Sequence, residues 1–330
     1  MLLPWSPIRL SFPALAVLSA AMAVAAADRV GADQPAAPGF VFEVKGGNFP
    51  VFLAGSVHFL PANSTVPLPN PIEAALARVD SVVFEILPGA GRSYEGMTGH
   101  EFATTPGPPV RWNLWAEVNP ATRRNLTRYV GNWTDREYIS RCTPWMAAIQ
   151  LQQGYLEKHG YTPGGVESLV FLRAESKGLK ASGLDTPDTP AHLLGSMSRT
   201  AQEEFLALML GAIDQSGDEV KRMIQAWRDG DIQHIERATA DLAIRQPEVY
   251  AKLLAGRNAK WRDSIRKLTT TGPPTLVLVG AMHLAGPEGL PVLLEQAGLE
   301  IQPLLADRIQ PGQNPDAKIL NTGGIHAESP

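Results

Sequence analysis

The sequence predicts an α/β protein: a mixed central sheet, two strand–Gly-x-x-His–loop–helix–strand units and a large helical region between them. Three observations carry this. The runs VFLAGSVH (51–58) and VLVGAMH (277–283) each take an apolar strand into Gly-x-x-His, and each is followed by a loop, a helical stretch and a further strand. The opening runs FVFEVKGG and FPVFLAGS are β-rich and joined through Gly-Gly-Asn, a hairpin signal, and a hairpin added to otherwise parallel strands makes a mixed sheet. Residues 114–160 and 198–268 carry helical periodicity over most of their length.

The elements follow in order. After the first Gly-x-x-His comes a Pro-rich loop, then IEAALARVD, spaced as a short amphipathic helix, then SVVFEI as a buried strand. That order is how a parallel crossover is written. Residues 88–110 are rich in Gly, Pro and Thr and read as a loop. GVESLVFLRAESKG has helical spacing and LKASGLD is a short strand. The helical stretch 198–268 is expected to break near Gly217, Gly230 and Pro247. TLVLVGAMH is a near-continuous apolar strand, GPEGLPVLLEQAG a helix closed by Gly298, and LEIQPLL a last strand. The two units form a weak internal pseudo-repeat, without a solenoid period.

A chain of 330 residues with 44% hydrophobic content can bury a sizeable core. The net charge of −4 is spread without long blocks, which argues against a nucleic-acid surface. Residues 1–27 have one basic residue (Arg9), an apolar stretch from Leu10 and small residues at Ala25–Ala27, the layout of a secretory signal peptide. The expected organisation is therefore a leader at 1–27, a linker at 28–39, a domain at 40–306 and a disordered tail at 307–330, in a periplasmic or secreted protein. A retained anchor is the competing reading of the leader. No other apolar run approaches a transmembrane length, so no membrane span is expected in the mature chain. The single cysteine, Cys142, rules out an intramolecular disulfide, and its place in RCTPW, at the entry to an apolar helix, suits a buried small hydrophobe.

In open α/β sheets ligands sit beyond the carboxyl ends of the strands. His58 and His283 each lie just past such an end, and parallel neighbouring strands would bring both imidazoles to one crevice. Gly55 and Gly280 suit a chain that turns sharply or passes close to a neighbour. Glu85 ends the apolar run SVVF, and a carboxylate there is costly to bury unless it is paired or binds a metal. Two histidines and a carboxylate suit a divalent cation such as Mn, Co or Zn, which could activate water for hydrolysis. A strand-end histidine that only packs or hydrogen-bonds is the bland alternative. HExxH, Cys-x-x-Cys, G-x-S-x-G and P-loop motifs are absent. The remaining histidines, His100, His159, His192, His234 and His326, are expected to be solvated.

FLAGSVH, SVVFEI, CTPW, GVESLVFLRAESKGLKASGLDT, GRNAKWRDSI and TLVLVGAMHLAGPEGLPVLLEQAG, in that order, resemble the TraB/GumN family, which includes the Tiki proteins. The resemblance covers roughly residues 40–306. It implies a fold related to the erythromycin-esterase-like and ChaN-like proteins. It also implies a metal-dependent protease, with His58 and His283 as metal ligands or their close partners, Glu85 as a ligand or general base, and a peptide or protein as substrate. Arg257-Asn258 matches the family's Arg-Asn pair on the helix before the last strand; an arginine there could hold a substrate carboxylate or polarise an oxyanion. Glu167 falls where relatives carry an acid, which implies a further ligand or general base; a first-turn acid favoured by the helix dipole is the competing account. One departure is GLDTPDTP, with Asp185 where relatives have Glu. Two functions stay open: an exported metal-dependent peptidase, and an envelope protein that binds a metal, haem-like group or glycan without turnover. Ester cleavage by a similar site is a further variant.

Overall fold

A computed structural model describes residues 40–62, 68–89, 113–131 and 136–304, apart from the side chains of 214–219. The expected leader, linker and tail, and His100 and His326, lie outside the described residues.

The opening hairpin forms as β1 (Val41–Lys45) and β2 (Val51–Ser56), paired antiparallel with Val44 opposite Val51. The chain turns between them at Gly46, whose φ of 105° favours glycine. β3 (Phe59–Pro61) leaves the main sheet, and α1 (Asn70–Leu76) leads to β4 (Ser81–Phe84). A helical region follows: α2 (Leu114–Glu117), α3 (Pro120–Tyr129), α4 (Arg136–Arg141) and α5 (Pro144–Lys158). β5 (Tyr161–Pro163) pairs back onto β3 as a separate ribbon, then α6 (Gly165–Ser176) leads into β6 (Lys180–Gly183). Next come α7 (Thr189–Gly195), α8 (Arg199–Asp229), α9 (Ile232–Arg245) and α10 (Pro247–Tyr250). A π-helical turn, Ala251–Ala255, runs into α11 (Gly256–Thr271). β7 (Thr275–Gly280), a 3-10 turn at Ala281–Leu284, α12 (Leu290–Gln296) and β8 (Glu300–Pro303) complete the described chain.

The central sheet has the order β6-β4-β7-β2-β1-β8, with the first four strands parallel and β1 antiparallel to both of its neighbours. Every residue of β2 and β7 is buried, which explains their unbroken apolar composition: a strand covered on both faces has no polar face. β7 lies between β4 and β2, so the carboxyl ends of these three strands stand side by side. The crossover from β2 to β4 therefore skips β7, and the one from β7 to β8 skips β2 and β1.

Two expectations need correction. α8 runs unbroken through Gly217, because one glycine inside a helix costs only about 1 kcal/mol, which packing of this long helix against α5 offsets. The expected breaks at Gly230, with φ 69°, and before Pro247 are present. His234 is buried rather than solvated, since it sits on the inward face of α9 beside Ile235 and Ala238. His159 and His192 are exposed. No helix among the described residues is long and apolar enough to cross a membrane.

Trp227 ties the helical region to the sheet: its indole N–H donates to the carbonyl of Gly55 at 2.7 Å, in the interior. Gly55 itself is required there, since a Cβ would lie 2.9 Å from Phe40 Cβ and 3.2 Å from Ala281 Cα. Trp227→Phe keeps most of the ring but removes the donor, and should lower stability by about 1–3 kcal/mol in urea unfolding. Cys142 is buried as expected, and burial pushes its thiol up to about 12. A thiol held protonated is a poor nucleophile. Cys142 should therefore resist a disulfide reagent at pH 8 in native protein and react fully once the protein is unfolded.

Candidate functional site at the carboxyl ends of the sheet

Glu85 follows directly after β4, with its backbone carbonyl accepting from Asp185 N–H at 2.8 Å so that strand pairing continues past β6. Its side chain is turned inward and is met from three directions. The backbone N–H of Gly280 donates to Oε1 at 3.1 Å, His283 Nε2 lies 2.9 Å from the same oxygen, and Arg257 Nη2 approaches Oε2 at 3.4 Å. Burial alone would push the carboxyl up; the Arg257 guanidinium, the largest opposing influence, leads the charges that hold it well below the usual carboxylate range. Glu85 is an anion.

His283 sits on the 3-10 turn after β7 and is 1% exposed. Asn258 fixes its protonation. The amide nitrogen of Asn258 donates to the carbonyls of His283 at 3.2 Å and Glu288 at 2.8 Å, so Oδ1 is the acceptor facing His283 Nδ1 at 2.6 Å. Nδ1 therefore carries the proton. Burial lowers the pKa of the ring and Arg257 and His58 lower it further, outweighing Glu85, so the neutral form is favoured. Nε2 then presents a lone pair toward the carboxylate of Glu85, with Arg257 Nη1 3.3 Å away.

His58 has a different partner. Its Nδ1 is 2.5 Å from Glu167 Oε1, and the Ser56 hydroxyl donates to that same oxygen. Glu167 is in the first turn of α6, as the helix-dipole account requires, and it also meets His58. The approach depends on two glycines. Gly164 and Gly165 have φ of 90° and 37°, and a Cβ on Gly165 would stand 2.1 Å from Val57 O and 2.4 Å from His58 C. Burial is the largest influence on His58 and lowers its pKa, but Glu167 and then Glu85 outweigh it, so the net shift is upward. Stability from the pair is complete below the ordinary histidine value and is lost as pH rises through the raised one.

The two motif histidines share one small space. A Cβ built on Gly280 would lie 3.0 Å from His58 Nε2 and 3.5 Å from Glu85 Oε1. Arg257 closes one side of it, stacked 4.2 Å over the Trp261 ring, which itself lies 4.6 Å from the ring of His283. Arg257 Nε donates to Asp185 Oδ2 at 2.9 Å, and Lys260 Nζ takes Asp185 Oδ1 at 2.9 Å. The π turn sits immediately before this helix, a feature frequent at functional sites, and its extra residue resets the face that Arg257, Asn258 and Trp261 present.

The structure thus brings together every residue singled out in the sequence: His58, His283, Glu85, Glu167 and Arg257. Arg257 pairs with the buried carboxylates of Glu85 and Asp185, a structural role, while also bordering the site. Ser56, Lys260 and Trp261, and Asp185 beyond its departure from the family pattern, are site residues that the sequence reading misses. Trp261 had a signal, an aromatic one turn after Arg257 in GRNAKW; the contacts of Ser56 and Asp185 come from distant parts of the chain.

The donor types are those a divalent ion takes: His283 Nε2, Glu85 Oε1 2.9 Å from it, and His58 Nε2 across the Gly280 cradle. Each imidazole also has the outer hydrogen-bond partner that metal-binding histidines have, Asn258 and Glu167. Among the described residues no three His, Cys, Asp or Glu side chains already stand as a ligand group. The guanidinium of Arg257 is drawn up against two of the donors.

The sheet, parallel at its centre, carries paired histidine–carboxylate groups beyond its strand ends, the place where ligands of open α/β proteins bind. The chain belongs to the TraB/PrgY/gumN family, whose model matches residues 40–303. It is similar to a protein of Treponema pallidum (strain Nichols) described as uncharacterized, 23% identical over 170 residues, which are 47% of this chain and 50% of that protein. The match thus spans half the length of that relative. No solved structure matches the chain.

In protein stripped of divalent ions, Glu167→Gln should lower the pKa of His58, because burial then acts with less opposition; a histidine NMR titration measures it. Gly280→Ala has no backbone cost, as φ is −55° and ψ 139°. Its methyl fills the cradle, so the ring signals of His58 should shift while the unfolding midpoint changes little.

Proposed function

We propose that this protein is an exported metal-dependent hydrolase that acts on peptide bonds, with His58, His283 and Glu85 holding a divalent ion such as Mn, Co or Zn. One observation carries the reading. Asn258 keeps the proton on His283 Nδ1, so two electron-rich atoms, His283 Nε2 and Glu85 Oε1, face each other 2.9 Å apart inside the protein. Arg257 reaches the two groups only at 3.3 and 3.4 Å, so the contact favours a closer cation that both atoms can share. When bound, the ion supplies Lewis-acid activation of water and of the scissile carbonyl.

The remaining groups have their own tasks. Glu167 holds the proton on His58 Nδ1 and leaves Nε2 toward the cradle. The second oxygen of Glu167 is buried with no hydrogen-bond partner among the described residues, which leaves it open to a reacting group. Arg257, held rigidly over Trp261, offers N–H groups to negative charge developing on a substrate oxygen. The resemblance to Tiki-type proteases makes a peptide the expected substrate, and the leader-like residues 1–27 make the periplasm or the exterior the expected place of action.

The short contact between His58 and Glu167 also favours a second reading, ester hydrolysis by a histidine–carboxylate base without a metal. Ion-stripped protein reloaded in turn with Mn, Co and Zn, and offered a peptide library and simple esters, separates the two. Ion-dependent peptide cleavage is expected, with His58→Ala, His283→Ala and Glu85→Gln each reducing kcat/KM by at least about a hundredfold. Equal turnover by wild type and His58→Ala would end the proposal. Ester cleavage that survives a chelator but not Glu167→Gln would establish the second reading. Tight glycan or haem-like ligand binding without turnover, unaffected by Glu85→Gln, would make the protein a binding factor.

A further inference from the structure

We propose that Asp185 is a positioning residue that keeps Arg257 from competing for Glu85, and thereby sets the affinity of the cradle for a divalent cation. The inference rests on the metal reading above. Arg257 is 3% exposed and lies between two buried anions, with Glu85 on one side and Asp185 on the other. Its contacts are unequal. Nε meets Asp185 at 2.9 Å, a normal charge-assisted hydrogen bond, whereas Nη2 meets Glu85 at 3.4 Å, at the edge of hydrogen-bond range. The Asp185 side chain is wholly buried, so solvent does not screen this preference.

A guanidinium beside a site for a divalent ion is otherwise hard to understand. It repels the ion, and it occupies the carboxylate that the ion needs. A fixed counter-charge on the far side answers both difficulties. Asp185 neutralises Arg257 locally, and it anchors Nε so that the guanidinium stays clear of full engagement with Glu85. Without the negative charge at Asp185, the nearest anion available to Arg257 is Glu85, and an ion would have to displace it. Lys260 also binds Asp185, but its side chain is 65% exposed and its charge is screened by water. Lys260 therefore contributes little to this balance.

Calorimetric titration of ion-stripped, full-length protein with Mn and with Zn tests this, with folding of each variant checked by circular dichroism. Asp185→Asn should weaken ion binding about 10- to 100-fold, the range found for partners behind the ligands. Arg257→Gln should bind at least as tightly as wild type, since the competitor is gone and Asp185 keeps its charge. The double variant Asp185→Asn/Arg257→Gln should recover most of the affinity lost in Asp185→Asn, a reversal that a merely structural role would not produce. Lys260→Met should stay within about twofold of wild type. Asp185→Asn binding as tightly as wild type, or a double variant as weak as Asp185→Asn, would overturn the inference. If Asp185→Asn does not fold, Arg257→Gln decides alone: weaker binding than wild type would overturn it. A folded wild-type protein that binds neither ion would remove the metal reading itself, a result distinct from these.

Discussion

Glu85 ends an apolar strand with a carboxylate that is 6% exposed, and much of the surrounding structure can be understood as the cost of keeping it ionised there. A backbone N–H from the end of β7 and a guanidinium from α11 converge on its two oxygens, and the neutral imidazole of His283 faces one of them. Each of these groups in turn needs support. Arg257 needs Asp185 and the face of Trp261; His283 needs Asn258. The chain of requirements runs from one strand end through the last long helix to β6, and it explains why residues 72 to 198 positions apart in sequence are held within hydrogen-bonding distance.

The strand-end logic made the centre of this site legible. An apolar run that ends on Gly-x-x-His, twice, and another that ends on Glu, can be read without coordinates, because central parallel strands must be apolar and their carboxyl ends must be where polar groups collect. Resemblance added Glu167 and Arg257. What could not be read was the pairing among them. Nothing local says that Glu167 goes to His58 rather than to the cradle, or that Asp185 goes to Arg257, since both contacts depend on how α6 and β6 pack against distant strands. The inward turn of His234 and the continuity of α8 through Gly217 belong to the same class: tertiary burial overrode a local preference.

The pseudo-repeat is also less symmetric than the two motifs suggest. Gly55 pairs with Val279, and Gly280 with Ser56, so the motifs are offset by one residue across neighbouring strands. The first runs on from its histidine into β3, whereas the second coils into a 3-10 turn. The glycines have correspondingly different duties. Gly55 makes room for Phe40 and for the backbone at Ala281, while Gly280 leaves open the space between His58 and Glu85.

That asymmetry gives the two histidines different chemistry from the same sequence motif. His58 has a carboxylate behind its Nδ1, which favours added positive charge; His283 has an amide there and a guanidinium beside it, which disfavour it. The pKa shifts follow in opposite directions, upward for His58 and downward for His283, although both rings are buried. Burial therefore does not distinguish them; the group behind the ring does. On the reading proposed above, one imidazole that accepts a proton readily and another that stays neutral beside an ionised carboxylate would supply the division that hydrolysis requires. One face can manage protons, and the other can keep its electron pairs available to a cation.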